Sequence, residues 1–318
     1  MITLSTRAAV ADALRRAGDA GISGEAIASA LGVSRATVNA HVTALRSLGY
    51  EVASSSRVGY RLVSAPDVCL PEEVAPRLHH DLWVTCEGGA ETVSTNDDAK
   101  RLARGGAPEG ALIVAARQTG GRGRFDRTWV SPEGGAYVSA VLRPPLPPSA
   151  LMPLPLVAAV GVADGLATLG LDVRLKWPND VEVDGRKVAG ILLEMAAEAD
   201  QIEWVVLGCG LNVTGRPHER ASSIAEHVLC VGAAVAAAAV LDGVATAYRQ
   251  FLAGGFGELH DAYVRRLSIV GETVVVRDAS GSIVAEGPVA GIGDAGELLI
   301  GLPGDERRIV AGEVTLRG

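Results

Sequence analysis

Residues 176–194 read KWPNDVEVDGRKVAGILLE. Trp177-Pro178 favours an extended segment that runs into a turn, because a proline ring keeps the residue before it out of the helical region. Asn179 and Asp180 then put an amide and a carboxylate where a strand ends, a usual place for ligand groups in an α/β sheet. Asp184-Gly185 is a hairpin turn signal, so Lys187 is expected back on the next strand, close to Asn179 and Asp180. A plain hairpin with polar tips would share these features. What distinguishes the segment is its lysine content. The chain has 26 Arg and three Lys (Lys100, Lys176 and Lys187), and two of the three fall here. An ammonium is a compact point charge that a planar guanidinium fork does not replace, so a site needing one close cation is expected at Lys187 above all.

Outward from this hairpin, strand-like runs at 111–117, 136–142, 173–177, 188–194 and 202–207 alternate with helical stretches at 154–169 and 231–251. The alternation predicts a mixed α/β domain with the two helices covering one face of its sheet. Residues 145–155 are rich in proline and are expected to be loop. After Gly271 the pattern becomes short strands at 273–276, 283–292, 298–302 and 307–316, separated by DASG, GDAG and PGD turns. Turns at that spacing indicate a small SH3-like β-barrel.

Residues 5–63 have the pattern of a winged helix-turn-helix. Ala9, Val10, Ala13 and Leu14 are helically spaced, Ser23 can cap a second helix, Gly32-Val33 makes the tight turn, and Ser34 can cap a third. That third helix buries Val38, Val42, Leu45 and Leu48 and presents Ser34, Arg35, Thr37, Asn39 and His41, where a recognition helix contacts base edges. Two short strands around a Ser-rich turn follow, a wing with Arg57 and Arg61 available for phosphates. A winged helix that packs only against protein would look the same. The expected division is therefore 1–64, a DNA-binding domain; 65–268, a catalytic domain; and 269–318, the small barrel.

Composition bounds the function. A chain of 318 residues accommodates two or three domains at roughly 100–200 residues each. A net charge of −8 argues against general nucleic-acid coating, yet residues 1–64 hold seven Arg against four acids, and the remainder holds 22 basic and 33 acidic residues. The result is a mildly basic module on an acidic body. Cys69, Cys86, Cys209 and Cys230 form no CxxC pair and read as free thiols of a reducing cytoplasm. The N-terminus lacks a signal-peptide core. The longest apolar run, 228–241, has 14 residues, short of the roughly 20 that span a bilayer, and reads as a buried helix, so no membrane partner is expected. His79-His80-Asp81 is the one metal-like cluster, and adjacent side chains point different ways; no protein-fixed metal is expected.

Residues 118–129, QTGGRGRFDRTW, supply the second site feature. Gly120, Gly121 and Gly123 let the backbone approach a ligand closely. Arg122, Arg124 and Arg127 are permanent planar cations suited to phosphate or carboxylate oxygens. Such a loop is costly to order and is expected to close when an anion arrives. At 208–213, GCGLNV follows an apolar strand and adds the bifunctional amide of Asn212. Ser94-Thr95-Asn96 precedes a helix at 97–104; one of the three can be an N-cap, while three polar side chains in a row suit a small urea or amide ring.

Together, STN (94–96), QTGGRGR…R.W (118–129), KWPND (176–180), RKVAGIL.E (186–194), GCGLNV (208–213) and GEVTLR (312–317) resemble the biotin protein ligases, in that family's order and over essentially the whole chain. With the winged helix in front, the chain is similar to the bifunctional ligases that also repress biotin-synthesis operons. The resemblance implies that Ser94, Thr95, Asn96 and Gln118 bind the ureido head of biotin and its surroundings. Arg122, Gly123 and Arg124 would lie in the loop that folds over biotin and its adenylate. Arg122, Arg124 and Arg127 would neutralise phosphates, and Lys187 would contact the biotin carboxylate and the reacting phosphate. Trp129, Asn179, Asn212 and Arg317 would lie near the nucleotide, and Asp180 would assist the incoming amine or hold Mg2+. Biotin and Mg·ATP are the implied substrates, with a carboxylase biotin-carrier domain, operator DNA and a second copy of the chain as partners.

Two departures stand out. The family loop commonly reads GRGRRGR, and Phe125-Asp126 here exchanges a cation for an anion, which is expected to speed release of the adenylate. The wing also lacks a lysine-rich tip. Three alternatives remain at this point: a ligase whose winged helix no longer binds DNA, a lipoate–protein ligase, and a biotin-sensing transcription factor without ligase activity. Lipoate ligases normally carry an arginine pair, a glycine-rich run and His-Asp, a string this chain lacks. Lys187 and the arginine trio argue against a sensor that has lost catalysis.

Overall fold

Serine caps organise the N-terminal helices. Helices α1 (Thr6–Ala17), α2 (Gly24–Leu31) and α3 (Arg35–Ser47) begin after Ser5, Ser23 and Ser34, whose hydroxyls accept the backbone N–H of Ala8, Ala26 and Thr37. Gly32 closes α2 in the left-handed region and turns the chain into α3. Val10, Leu14, Ile27, Val38, Val42 and Leu45 form the core between the helices. Strands β1 (Glu51–Ser55) and β2 (Gly59–Ser64) pair antiparallel as the wing. The computed structural model describes residues 2–316 apart from Asp126, Ala199, Arg220 and Pro303. Arg317, expected near the nucleotide, and Asp126 of the basic loop lie outside the described residues.

A short helix, α4 (Pro71–Val74), joins this unit to the rest. Its Glu72 and Glu73 are 0% and 3% exposed, and buried carboxylates require partners. Arg7 Nε lies 2.5 Å from Glu72, and Glu73 takes Arg15 at 2.5 Å, Arg77 at 2.9 Å and the Tyr50 hydroxyl at 2.6 Å. Thr3 also bridges to Thr85.

The central part contains β3 (Thr85–Thr92), α5 (Thr95–Arg104), β4 (Ala111–Gln118), β5 (Gly135–Leu142), α6 (Leu154–Thr168), β6 (Arg174–Lys176), β7 (Asp180–Val183), β8 (Arg186–Glu198), β9 (Gln201–Asn212), α7 (Ala233–Gly254) and α8 (Gly257–Arg266). Its sheet runs β3-β4-β5-β9-β8-β7-β6, parallel between β3 and β4 and antiparallel elsewhere. Alternate residues of a strand face opposite ways. Val138, Ala140, Leu142, Leu207, Cys209, Leu211 and Ile191 join the core under α6 and α7. Ala111, Ile113, Val141, Trp204 and Val206 pack with α5 on the other face. By length and composition Pro148–Thr168 could cross a bilayer, but most of that stretch is buried within the protein.

Strands β10 (Thr273–Arg277), β11 (Ile283–Ile292), β12 (Leu298–Ile300), β13 (Arg307–Ile309) and β14 (Glu313–Leu316) form an antiparallel sheet ordered β13-β12-β11-β10-β14. The run 307–316, expected as one strand, is therefore two strands on opposite edges. Other expectations also change. Within 145–155 the prolines start a 3-10 turn at Pro148–Leu151 and helix α6 at Leu154, positions where a missing N–H costs nothing. The apolar run 228–241 is helical only from Ala233; Leu229 is 86% exposed and Cys230 adopts φ 63°. The helix after Ser94 begins at Thr95, GCGLN lies inside β9, and β3 and α8 were not foreseen.

Candidate active site

On the α5 face, the strand period places Ser139 of β5, Gly208 and Gly210 of β9, and Gly190 of β8 toward the same space. Register pairs Ser139 with Gly208 and Tyr137 with Gly210. The two β9 glycines are required by close approach: a Cβ at 208 would lie 2.1 Å from Asn96 Oδ1, and one at 210 would lie 2.5 Å from Trp129 Nε1. The floor is therefore bare backbone on which an amide and an indole rest.

Above it is a cavity of about 290 Å³ lined by Ser94, Thr95, Asn96, Gln118, Arg122, Gly123, Arg124, Arg127, Trp129, Asn179, Asp180, Lys187 and Asn212, among others. Every described residue that the sequence singled out for small-molecule binding or catalysis meets there. The Asp184-Gly185 turn, with both residues at positive φ, folds β8 back on β7. This sets Lys187 Nζ 2.6 Å from Asp180 Oδ1 and 4.8 Å above the Trp129 ring.

The polar triplet divides its work. Ser94 is the N-cap of α5. Thr95 and Asn96, 4% and 5% exposed, turn inward. The Thr95 backbone N–H donates to Gln118 Oε1 at 2.8 Å, and Gln118 Nε2 donates to Ser131 at 2.9 Å, which orients the Gln118 amide. Asn96 Nδ2 donates to Glu194 at 2.8 Å. Asn179 and Asn212 spend their amide N–H groups on backbone: Asn179 on Ile191, and Asn212 on Lys187 and Ser222. Both hold the floor strands as well as lining the cavity. The indole N–H of Trp129 is buried with no acceptor among the described residues, an unfilled bond that a ligand oxygen can take.

The loop arginines are held by protein acceptors. Arg122 is 2.5 Å from Asp97 and 3.2 Å from Glu194; Arg124 donates to the Gly312 carbonyl at 3.2 Å; Arg127 makes two bonds to Glu313. Burial pushes the Arg124 guanidinium down from its ordinary pKa, and the Glu313 carboxylate is held below the usual range by its bond from Arg127. The hairpin of the loop is closed by an Arg122–Thr128 bridge and a bond from the Gly123 N–H to the Arg127 carbonyl. Glu194 also takes Lys100 at 2.8 Å. Glu194 and Glu313 lie within RKVAGIL.E and GEVTLR, where sequence reasoning gave neither a role, and it did not single out Ser139. The signal for Ser139 is a polar residue inside the apolar run GAYVSAVL.

In the winged helix, Arg35 and Arg57 are exposed. Ser34 and Thr37 bond to one another at 2.8 Å, Asn39 Oδ1 accepts from Tyr60 at 3.1 Å, and Arg61 lies 3.6 Å from Asp19. His79 faces Asp242. Among the described residues no three His, Cys, Asp or Glu side chains cluster as metal ligands.

Residues 88–212 match the biotin/lipoate A/B protein ligase family, and residues 6–61 match a helix-turn-helix domain. The chain is 33% identical to the bifunctional ligase/repressor BirA of Bacillus subtilis (strain 168), over 95% of each chain. It belongs to the bifunctional ligase/repressor family. Another member of the wider ligase family, the biotin–[acetyl-CoA-carboxylase] ligase of Paracoccus denitrificans, is 36% identical over 72% of this chain and 99% of its own. The biotin protein ligase of Aquifex aeolicus, solved with biotin and ATP, superposes with a TM-score of 0.62 at 29% identity, covering 73% of this chain and 98% of that one. The ligase/repressor family thus accounts for both the arginine loop and the winged helix in one chain.

Proposed function

We propose that this chain adenylates biotin with ATP, transfers the biotinyl group to a lysine of a carboxylase biotin-carrier domain, and in its adenylate-bound form represses biotin-synthesis genes. The observation that carries the reading is the meeting of Thr95, Asn96, Gln118, the loop arginines, Trp129 and Lys187 around one cavity, in a chain similar along its length to ligase/repressors.

In the first step a biotin carboxylate oxygen attacks the α-phosphorus of ATP, and pyrophosphate leaves. In the second, the carrier lysine amine attacks the acyl carbon of the mixed anhydride, and AMP leaves. Neither step needs a protein nucleophile, so positioning and charge neutralisation carry the catalysis. Ser94, Thr95, Asn96 and Gln118 hold the ureido head. Lys187 sits between biotin carboxylate and phosphate, with Asp180 at its ammonium. Arg122, Gly123 and Arg124 cover biotin and its adenylate, and phosphate oxygens draw Arg122, Arg124 and Arg127 from Asp97, Gly312 and Glu313. Trp129, Asn179, Asn212 and Arg317 surround the nucleotide. Closure over the anhydride excludes water. Mg2+ enters with ATP as part of the substrate; the cavity carboxylates Asp180 and Glu313 are already committed to Lys187 and Arg127.

The same reading divides the chain at 1–64, 65–268 and 269–318, takes the C-terminal sheet as an SH3-like barrel, and places the protein in the cytoplasm as a homodimer whose two winged helices, through Ser34, Arg35, Thr37, Asn39, Arg57 and Arg61, grip paired half-sites. The testing experiment is ATP–pyrophosphate exchange on the purified protein with biotin, lipoate or no acid. Exchange that requires biotin is expected. Exchange only with lipoate, or none with either, defeats the ligase reading.

A further inference from the structure

Ser139 is fully buried on the α5 face of β5 and is not among the residues that line the cavity. Its Oγ lies 2.7 Å from Asn96 Oδ1 and 2.8 Å from Thr95 Oγ1. The orientations of the two neighbouring amides are already determined. Asn96 Nδ2 must face the Glu194 carboxylate, so Oδ1 faces Ser139. Gln118 Oε1 must face the Thr95 backbone N–H. Both amide oxygens can only accept.

The cluster therefore has three hydroxyl contacts: Thr95 to Gln118 at 3.1 Å, Ser139 to Thr95, and Ser139 to Asn96. Only two hydroxyl protons are available to fill them. Ser139 can give its proton to Asn96 or to Thr95, and the choice sets what those residues offer the cavity. With the proton on Asn96, that amide oxygen has less to offer a donor. With the proton on Thr95, the Thr95 hydroxyl no longer donates to Ser139, so its own proton can pass from the long bond to Gln118 at 3.1 Å to a ligand oxygen, and Asn96 Oδ1 is free to accept a ligand N–H.

We infer that Ser139 is a positioning residue that makes Thr95 a donor and Asn96 an acceptor toward the ligand, and so selects an acid whose head carries a carbonyl flanked by N–H groups. The inference rests on the ligase reading above and deepens it. A head without those groups, such as a dithiolane, leaves the buried hydroxyls and amides unpaired, which is how a polar site rejects an analogue of similar size.

Ser139→Ala removes the shared proton without adding volume. The expected result in biotin-dependent ATP–pyrophosphate exchange is a KM for biotin raised roughly tenfold or more, the cost of stranding a buried polar group, with KM for ATP and kcat within about twofold of wild type. Because Ser139 acts through Thr95, the double variant with Thr95→Val should be little worse than Thr95→Val alone. Ser139→Cys keeps the side chain near its size and weakens the donor, and a smaller rise in the same constant is expected; it carries the test should Ser139→Ala fail to give a native melting transition. An unchanged KM for biotin in a folded variant, a parallel rise for ATP, or full additivity with Thr95→Val overturns the inference. Wild-type protein inert toward biotin would instead defeat the ligase reading itself.

Discussion

Lys187 Nζ and Asp180 Oδ1 stand 2.6 Å apart across the Asp184-Gly185 hairpin. The ammonium is thus presented to the cavity from a rigid strand, with its charge partly met from behind. A guanidinium in its place would be longer, planar and unable to fit between Asp180 and the Trp129 ring. Lys187→Arg is expected to lower biotin-dependent exchange on the order of a hundredfold, the scale of removing one transition-state donor. Steady-state exchange rates measure this, and near-native turnover by the arginine variant would rule it out.

Arg127 ties the basic loop to β14 through Glu313. The Glu313 pKa is lowered from 4.5, first by the Arg127 hydrogen bond. A depressed carboxylate contributes its stabilisation above the unfolded value and loses it as pH falls through the folded one. The tie is therefore whole at neutral pH and opens only on acidification below the ordinary glutamate range. Both partners are substantially exposed, so the contribution to global stability is below about 1 kcal/mol, and the effect is local. Hydrogen exchange in residues 120–129, corrected for intrinsic rates, should quicken in Glu313→Gln at pH 7. Equal protection in variant and wild type would show that the loop is held by other contacts.

Phe125 adopts φ 55°, is 39% exposed, and lies under the Arg124 guanidinium at 4.9 Å. On the ligase reading, the loop has an aromatic ring where a further cation would reach the adenylate phosphate. Phe125→Arg combined with Asp126→Gly is expected to slow release of biotinyl-AMP, read as the dissociation rate in a chase with unlabelled ligand. No change in that rate would mean that the second half of the loop does not touch the phosphate.

Arg35 opens the recognition helix and is exposed, while Arg57 sits in the wing turn. Arg35→Ala should weaken operator binding by about 1–3 kcal/mol and relax base preference. Arg57→Ala should weaken all sequences alike and reduce the salt dependence by about one counterion. Neither should change exchange with biotin. Loss of exchange in parallel with DNA binding would point to misfolding rather than a contact.

Much of this was legible because the decisive signals are local. Serine caps, the Gly32 turn, the Asp184-Gly185 hairpin and the spacing of Val38, Val42 and Leu45 each depend on a few neighbouring residues. Strand β3 was hidden because TCEGGAET has no alternation to read; it is an edge strand, largely exposed, held by backbone pairing to β4. The site was legible in its motif residues and not in the way they pair. Glu194 and Glu313 meet Arg122 and Arg127 only after the chain has brought together positions 72 and 186 residues apart, and no window of sequence contains both members of either pair. Ser139 was visible as a polar interruption, but an apolar run does not say which face a strand turns to which ligand.

The buried acids of α4 have a consequence for ancestry and engineering. Glu72 and Glu73 answer to Arg7 and Arg15 of α1 and to Arg77 just beyond, so the winged helix is keyed into its socket rather than strung on a tether. A chimera that exchanged residues 1–64 alone would leave two interior carboxylates facing foreign side chains, an arrangement that costs about 3–5 kcal/mol when a buried pair is broken. The unit that can be transplanted, or inherited whole, runs through residue 77, well past the last strand of the wing.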